Sequence, residues 1–151
     1  LAEGGDSPVD LTDGGIFHCG PVVVRRRKTW MVRAAGPTTS ARLDRYMPAV
    51  LSRYRVRLMI GKGGMGEATR TACREHGCVY LQAVGGAASL IAAHITDVHG
   101  VNFLAEFGAA EAVWHFDVEG FEVVVGIDAA GHSLYDDVRG DSRKALDEIL
   151  R

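Results

Sequence analysis

Val56, Leu58 and Ile60 alternate as a strand that runs straight into Gly61-Lys62-Gly63-Gly64. A strand ending on a glycine loop commits this part of the chain to an α/β arrangement, in which a turn follows the sheet at once. Just before it, Leu43, Met47, Val50, Leu51 and Tyr54 recur at helical spacing, which predicts a helix opening near residue 40. Gly36-Pro37 breaks the run ahead of that helix. Thr38, Thr39 and Ser40 then place hydroxyls at its expected start, with Arg42 and Arg45 in the first turns. Spare amide donors at a helix N-terminus and the helix dipole favour an anion. Together with Lys62 on the following loop, the stretch reads as a site for a small carboxylate or phosphate.

The remaining chain repeats the theme of strand, glycine turn and helix. Ile16 to Val24 reads as a strand with Gly20-Pro21 as an edge or bulge. Arg25 to Lys28 forms a charged turn before a strand from Trp30 to Ala34. That short basic run is a solvated hairpin tip and receives no function. Glu67 to His76 reads as a helix burying Ala68, Thr71 and Ala72 and closed by Gly77. Cys78 to Val84 returns as a buried strand, and Gly85-Gly86-Ala87-Ala88 opens a helix that runs through Ile95. Val101 to Phe107 and Ala112 to Val118 read as strands, or as a loop and a strand; Phe121 to Ile127 is the clearest β run. Gly131-His132 marks a turn, and Ser142 is expected to cap a last helix carrying Ala145, Leu146, Ile149 and Leu150. Residues 1–15, with Gly4-Gly5 and Gly14-Gly15, read as a connector entering the fold.

Length and charge exclude several classes. At 151 residues with 47% hydrophobic content, the chain fits a single domain over 1–151 with a real core. A formal net charge of −2 gives no global attraction to nucleic acid or an anionic membrane. No apolar run approaches the roughly 20 residues of a spanning helix. The opening LAEGGDSPVD is not a basic-then-apolar leader. Cys19, Cys73 and Cys78 are too few and too irregular for a disulfide framework, so reduced thiols and the cytoplasm are the expectation.

Among the chemical candidates, Gly61-Lys62-Gly63-Gly64-Met65-Gly66 fails as a phosphate loop, because Gly63 follows the lysine where that motif needs a serine or threonine. A glycine turn after a strand has a geometric cause of its own, but a turn does not require Lys62. Thr38 and Thr39 are ordinary helix-cap residues as well. Arg42, three residues after Thr39, falls on the same side of the expected first turn, and its planar fork suits a carboxylate. Hydroxyl, guanidinium and ammonium could then meet on one acid group. Histidines 18, 76, 94, 99, 115 and 132 show no metal spacing and are assigned core or surface roles. The cysteines make a poor cluster site, with Cys73 and Cys78 expected as small buried apolar residues. Asp128, Asp136 and Asp137 read as solvated turn acids.

With Gly36-Pro37-Thr38-Thr39-Ser40-Ala41-Arg42-Leu43-Asp44 followed by Gly61-Lys62-Gly63-Gly64-Met65, the chain resembles the β-subunit, or C-terminal domain, of class I fumarases and L-tartrate dehydratases. Supporting stretches are Pro8-Val9-Asp10-Leu11, Tyr80 to Ala88, Phe107-Gly108-Ala109, Glu111 to Trp114, and Val125-Gly126-Ile127-Asp128. The resemblance implies a swivelling β/β/α domain of the α/β class, a mixed sheet with flanking helices. It would pair, as a hetero-oligomer, with an α-subunit that carries a [4Fe–4S] cluster, whose open iron acts as a Lewis acid on a small dicarboxylate. Carried over residue by residue, Thr38, Arg42 and Lys62 would bind substrate carboxylate and Thr39 would remove the proton at carbon. Fumarate to malate is the expected reaction and tartrate the alternative substrate; a non-catalytic anion-binding or regulatory domain of the same fold is the rival reading. The family's Gly-Arg-Asp and Ala-His segment is not found upstream of Pro8, so the domain is expected to lack an N-terminal piece.

Overall fold

The computed structural model describes residues 5–151. Of the stretch read as a connector, residues 1–4 lie outside the described residues. The architecture is mixed α/β, as the sequence implies. Its centre is a four-stranded sheet in the order β1 (Gly15–Phe17), β4 (Leu58–Gly61), β5 (Val79–Gln82), β8 (Val124–Ile127). The first three strands are parallel, with Phe17 beside Ile60 and Ile60 beside Leu81. β8 runs antiparallel to β5 and pairs Ile127 with Tyr80.

Two hairpins stand apart from this sheet: β2 (Val22–Arg26) with β3 (Thr29–Ala34), and β6 (Ile95–Asn102) with β7 (Val113–Val118). Successive strand residues point to opposite faces, so the central sheet is covered on both. On one face Met59, Tyr80 and Ile127 meet Met47, Val50 and Leu51 of α1 (Met47–Arg53) and Ala72 and Cys73 of α2 (Glu67–His76). On the other face Ile60, Phe17 and Ala83 meet Val32 of β3, Phe116 of β7, and Ile91 and Ala92 of α3 (Ala88–Ala93). The layers are therefore helices, sheet, and hairpins with α3. Trp30 and Trp114, edge to face at 5.2 Å, join the two hairpins.

Several boundaries follow the sequence closely. α2 spans Glu67–His76 and stops at Gly77, whose φ of 65° is the left-handed conformation that ends helices. The basic turn is a hairpin tip between β2 and β3, with Arg25 stacked on Trp30. The buried face of α2 differs, being Thr69, Ala72 and Cys73, while Ala68 is exposed. Thr69 tolerates burial because its hydroxyl donates to the Asp44 carboxylate at 2.6 Å.

Other elements depart from expectation. In place of one helix from residue 40 there is a single 3-10 turn, Ser40–Leu43, and then α1 from Met47 with Pro48 in its first turn. Proline is suited to a helix start and disfavours helical continuation through the residue before it. α3 ends at Ala93, and the β-branched Ile95, Thr96 and Val98 belong to β6. Leu104–Phe107 is one helical turn, α4, and not a strand. The last helix, α5, runs Leu134–Ile149 without a break. Ser142 caps nothing; its hydroxyl donates to the Val138 carbonyl four residues back at 2.7 Å. Asp136 and Asp137 occupy the first turn of α5, where negative charge favours a helix start.

Candidate functional site

Three glycine-bearing loops meet at the carboxyl ends of the parallel strands, where open α/β sheets bind ligands. The first is Gly36 to Thr39, the second Gly61 to Gly64 after β4, the third Gly85 to Ala88 after β5. Ala35 donates its N–H to the Ala88 carbonyl at 2.9 Å. A Cβ on Gly36 would stand 3.2 Å from that of Ala88, so the first and third loops need the absent side chain to lie this close.

The first and second loops are tied through Lys62. Its N–H donates to the Thr38 carbonyl at 3.3 Å, and its carbonyl accepts from the Ser40 N–H at 2.9 Å. Thr39 and Lys62 thereby form an isolated parallel bridge. Thr39 Cγ2 sits 3.6 Å from where a Gly63 Cβ would be, and Gly63, at φ 79°, needs to be glycine for its backbone alone. The Lys62 side chain lies over Gly85, with Cδ and Nζ 3.4 and 3.7 Å from the position of a Cβ there. Thr38, Thr39 and Lys62 are half-buried. Among the described residues the ammonium of Lys62 has no carboxylate partner.

Arg42 stands differently. Its N–H closes the 3-10 turn on the Thr39 carbonyl at 3.3 Å, but its side chain is exposed and makes no bond to Thr38, Thr39 or Lys62. The helix N-terminus expected beneath the hydroxyls is also missing. Thr39 precedes only a single 3-10 turn and its hydroxyl caps nothing. The side-chain charge within these loops is that of Lys62, and the 3-10 turn after Thr39 adds no α-helix N-terminus beneath the hydroxyls.

Ser40, the third hydroxyl, turns inward and is fully buried. Its Oγ is 3.0 Å from His18 Nδ1 and accepts from the Tyr80 hydroxyl at 3.1 Å. His18 and Ser40 form a polar pair that no local sequence pattern joins. They are 22 residues apart, and no spacing rule links the end of one strand to the turn after a distant glycine. His18 is only 4% exposed, and burial drives its pKa down to about 4, so the imidazole is neutral.

Other candidates are structural. Asp44 accepts the Gly66 N–H at 2.8 Å and the Thr69 hydroxyl, fastening the second loop to the start of α2. Asp128 accepts from the Ala130 and His132 amides at 2.9 Å each and closes its own turn. A cleft of about 340 Å³ between α2 and the start of α5 contains Arg70, but Arg70 is already paired with Glu67 and Asp136. Among the described residues no three His, Cys, Asp or Glu side chains gather as a metal set. The thiols do not fit an iron–sulfur cluster: Cys73 and Cys78 are sealed in the helical-face core, while Cys19 packs on the opposite face of the sheet.

Comparison with known sequences decides the family, because the sequence model described as "Fumarase C-terminus" matches residues 1–138. The chain belongs to the fumarase C-terminus family. This fumarase C-terminus domain is 46% identical over 145 residues to a Geobacillus stearothermophilus protein named provisionally as fumarate hydratase class I. The match covers 95% of this chain and 28% of that one. A Methanocaldococcus jannaschii protein, named provisionally as L(+)-tartrate dehydratase subunit beta, is 35% identical over 144 residues, covering 95% of this chain and 74% of its own. The L(+)-tartrate dehydratase subunit beta of Escherichia coli is 33% identical over 128 residues, covering 84% and 63%. The fumarase C-terminus domain thus spans little more than a quarter of the Geobacillus protein.

Proposed function

We propose that this chain is the β-subunit, or the corresponding domain, of an iron–sulfur-dependent hydro-lyase that adds water to, or removes it from, a small dicarboxylate. Fumarate and malate stand ahead of tartrate because identity is higher to the fumarate hydratase-named relative than to the tartrate dehydratase-named ones. The observation that carries the reading is the reciprocal pairing of Thr38 to Ser40 with Lys62, beside an ammonium that has no acidic partner among the described residues.

In this reading Lys62 neutralises one substrate carboxylate, the Thr38 hydroxyl donates to it, and Arg42 reaches in from the rim. Thr39 takes the proton from carbon. A threonine hydroxyl is a very weak base, so the task requires Lys62 nearby and a further group from the partner. The cluster belongs to that partner, an α-subunit, since the cysteines of this chain are split between two cores. Reduced thiols in both cores support a cytoplasmic setting. Among the described residues no helix is long and apolar enough to cross a membrane.

Anaerobic coexpression with a candidate cluster-bearing α-subunit tests the whole reading. The expected result is a copurifying complex that hydrates fumarate or dehydrates malate or tartrate. A stable complex with intact cluster and no turnover on any of the three would overturn it.

A further inference from the structure

His18 holds the Thr38 to Ser40 segment at both ends. Its carbonyl accepts the Thr38 N–H at 2.7 Å, and its imidazole Nδ1 lies 3.0 Å from Ser40 Oγ. Thr39 sits between these two anchors. Its own backbone is extended, with φ −69° and ψ 109°, and its side chain makes no hydrogen bond that would fix it. The orientation of Thr39 is therefore set by its backbone, held by the Arg42 N–H on its carbonyl and by the Lys62 pairing, together with what His18 grips on either side.

The proton arrangement at Ser40 follows from donor and acceptor count. The Tyr80 hydroxyl donates to Ser40 Oγ. The proton of Ser40 itself then needs an acceptor, and Nδ1 of His18 is the group within reach. A neutral imidazole that accepts at Nδ1 carries its proton on Nε2, an atom that is buried and without a partner among the described residues. We propose that His18, as the neutral Nε2–H tautomer, is a positioning residue for the reaction, orienting Thr39 by holding Thr38 through its carbonyl and Ser40 through Nδ1. This rests on the hydro-lyase reading above and adds to it a residue that touches no substrate.

Gly61 gives independent support. A Cβ there would collide with Ser40 Oγ and lie 3.2 Å from His18 Nδ1. The first glycine of the lysine loop is thus the space in which the His18 to Ser40 contact is made. The chain Tyr80 to Ser40 to His18 passes directly beneath the segment that presents Thr39 and Lys62.

The test compares His18→Leu, which has no acceptor, with His18→Asn, whose side-chain oxygen can stand near the place of Nδ1. Both are assayed in the assembled complex with its cluster-bearing partner. Misplacing a reacting group costs turnover more than affinity. His18→Leu is expected to lower kcat by roughly 30- to 100-fold with KM within about threefold, and His18→Asn to recover to within about fivefold of wild type. A kcat for His18→Leu within about twofold of wild type, or an Asn variant as impaired as the Leu variant, would overturn the proposal.

If His18→Leu fails to fold, Ser40→Ala carries the same expectation of reduced kcat at near-constant KM. The tautomer is read separately, by nitrogen NMR of the full chain labelled at histidine. Nε2 protonation between pH 6 and 8 is expected, and an Nδ1–H tautomer or a cation overturns the proposal. An inactive wild-type complex would fail the hydro-lyase reading, whereas an active wild-type complex with an indifferent His18→Leu would fail only this one.

Discussion

Ser40 Oγ fills the space that any side chain at Gly61 would need. The hydroxyl triplet and the lysine loop are therefore two halves of one contact, and neither half can change alone. Gly61→Ala should cost about 2–4 kcal/mol, because the added methyl meets a fully buried group that is held by His18 and Tyr80 and cannot swing aside. In urea unfolding, the double variant Ser40→Gly with Gly61→Ala should be less destabilised than the two single losses added together, by more than about 1 kcal/mol. Additive losses would show that the clash is relieved elsewhere.

Thr39 and Lys62 should separate in kinetics although their backbones are paired. In the complex with the proposed α-subunit, Thr39→Ala removes the proposed base and should lower kcat by roughly 10²- to 10⁴-fold with little change in KM. Lys62→Ala removes a charge proposed to act on bound substrate, so KM should rise and kcat/KM should fall by roughly 10- to 100-fold. Gly85→Ala serves as the control, since its methyl would make only ordinary contact with Lys62 Cδ at 3.4 Å. Its KM should stay within about threefold of wild type. An unchanged profile for Lys62→Ala would remove it from the carboxylate clamp.

Local chemistry made some elements legible and long-range pairing hid others. α2 could be read because its polar periodicity and Gly77 stop lie within a single window. The hairpin tip at Arg27 and Lys28 was visible for the same reason. β6 was obscured because two register shifts in its pairing with β7 break the alternation, and Asp97, His99 and Gly100 interrupt its apolar pattern. The supposed long helix after residue 40 had its periodic residues in place, yet Leu43 belongs to the 3-10 turn and Met47 to α1. Thr38, Thr39 and Lys62 were identifiable as hydroxyls and an ammonium on loops. His18 has no sequence signal beyond a core or surface role, since only folding brings it to Ser40 across 22 residues.

Asp44 joins the 3-10 turn to α2 through the Gly66 amide and the buried Thr69 hydroxyl. Asp44→Ala would leave the Gly66 amide without its acceptor and the Thr69 hydroxyl with only the backbone carbonyl of residue 44, at 3.3 Å, and an unsatisfied buried donor costs about 1–3 kcal/mol. The variant should show a lower melting temperature and faster amide exchange at Gly66 to Thr69. Asp44→Asn keeps one acceptor oxygen and should recover part of the loss. Equal stability of Asp44→Ala and wild type would show that water replaces the carboxylate.

The pH dependence of stability should carry the signature of His18. Its folded pKa, about 4, lies below the ordinary histidine value of 6.5, because burial among Ser40, Tyr80 and the sheet disfavours the cation. Between these two values the unfolded chain takes up a proton that the folded chain refuses, so the unfolded state gains as pH falls. Stability contributed above pH 6.5 is therefore lost on acidification towards pH 4, by about 3 kcal/mol for this one group, with no further loss from it below that. His18→Asn cannot titrate. Its unfolding free energy, followed from pH 7.5 to pH 4 beside wild type, should fall less steeply through this window, by up to one proton in the slope. Exposed carboxylates such as Asp13 and Asp128 titrate in both chains and cancel in the difference. Parallel curves would mean that His18 takes up its proton in the folded chain as readily as in the unfolded one.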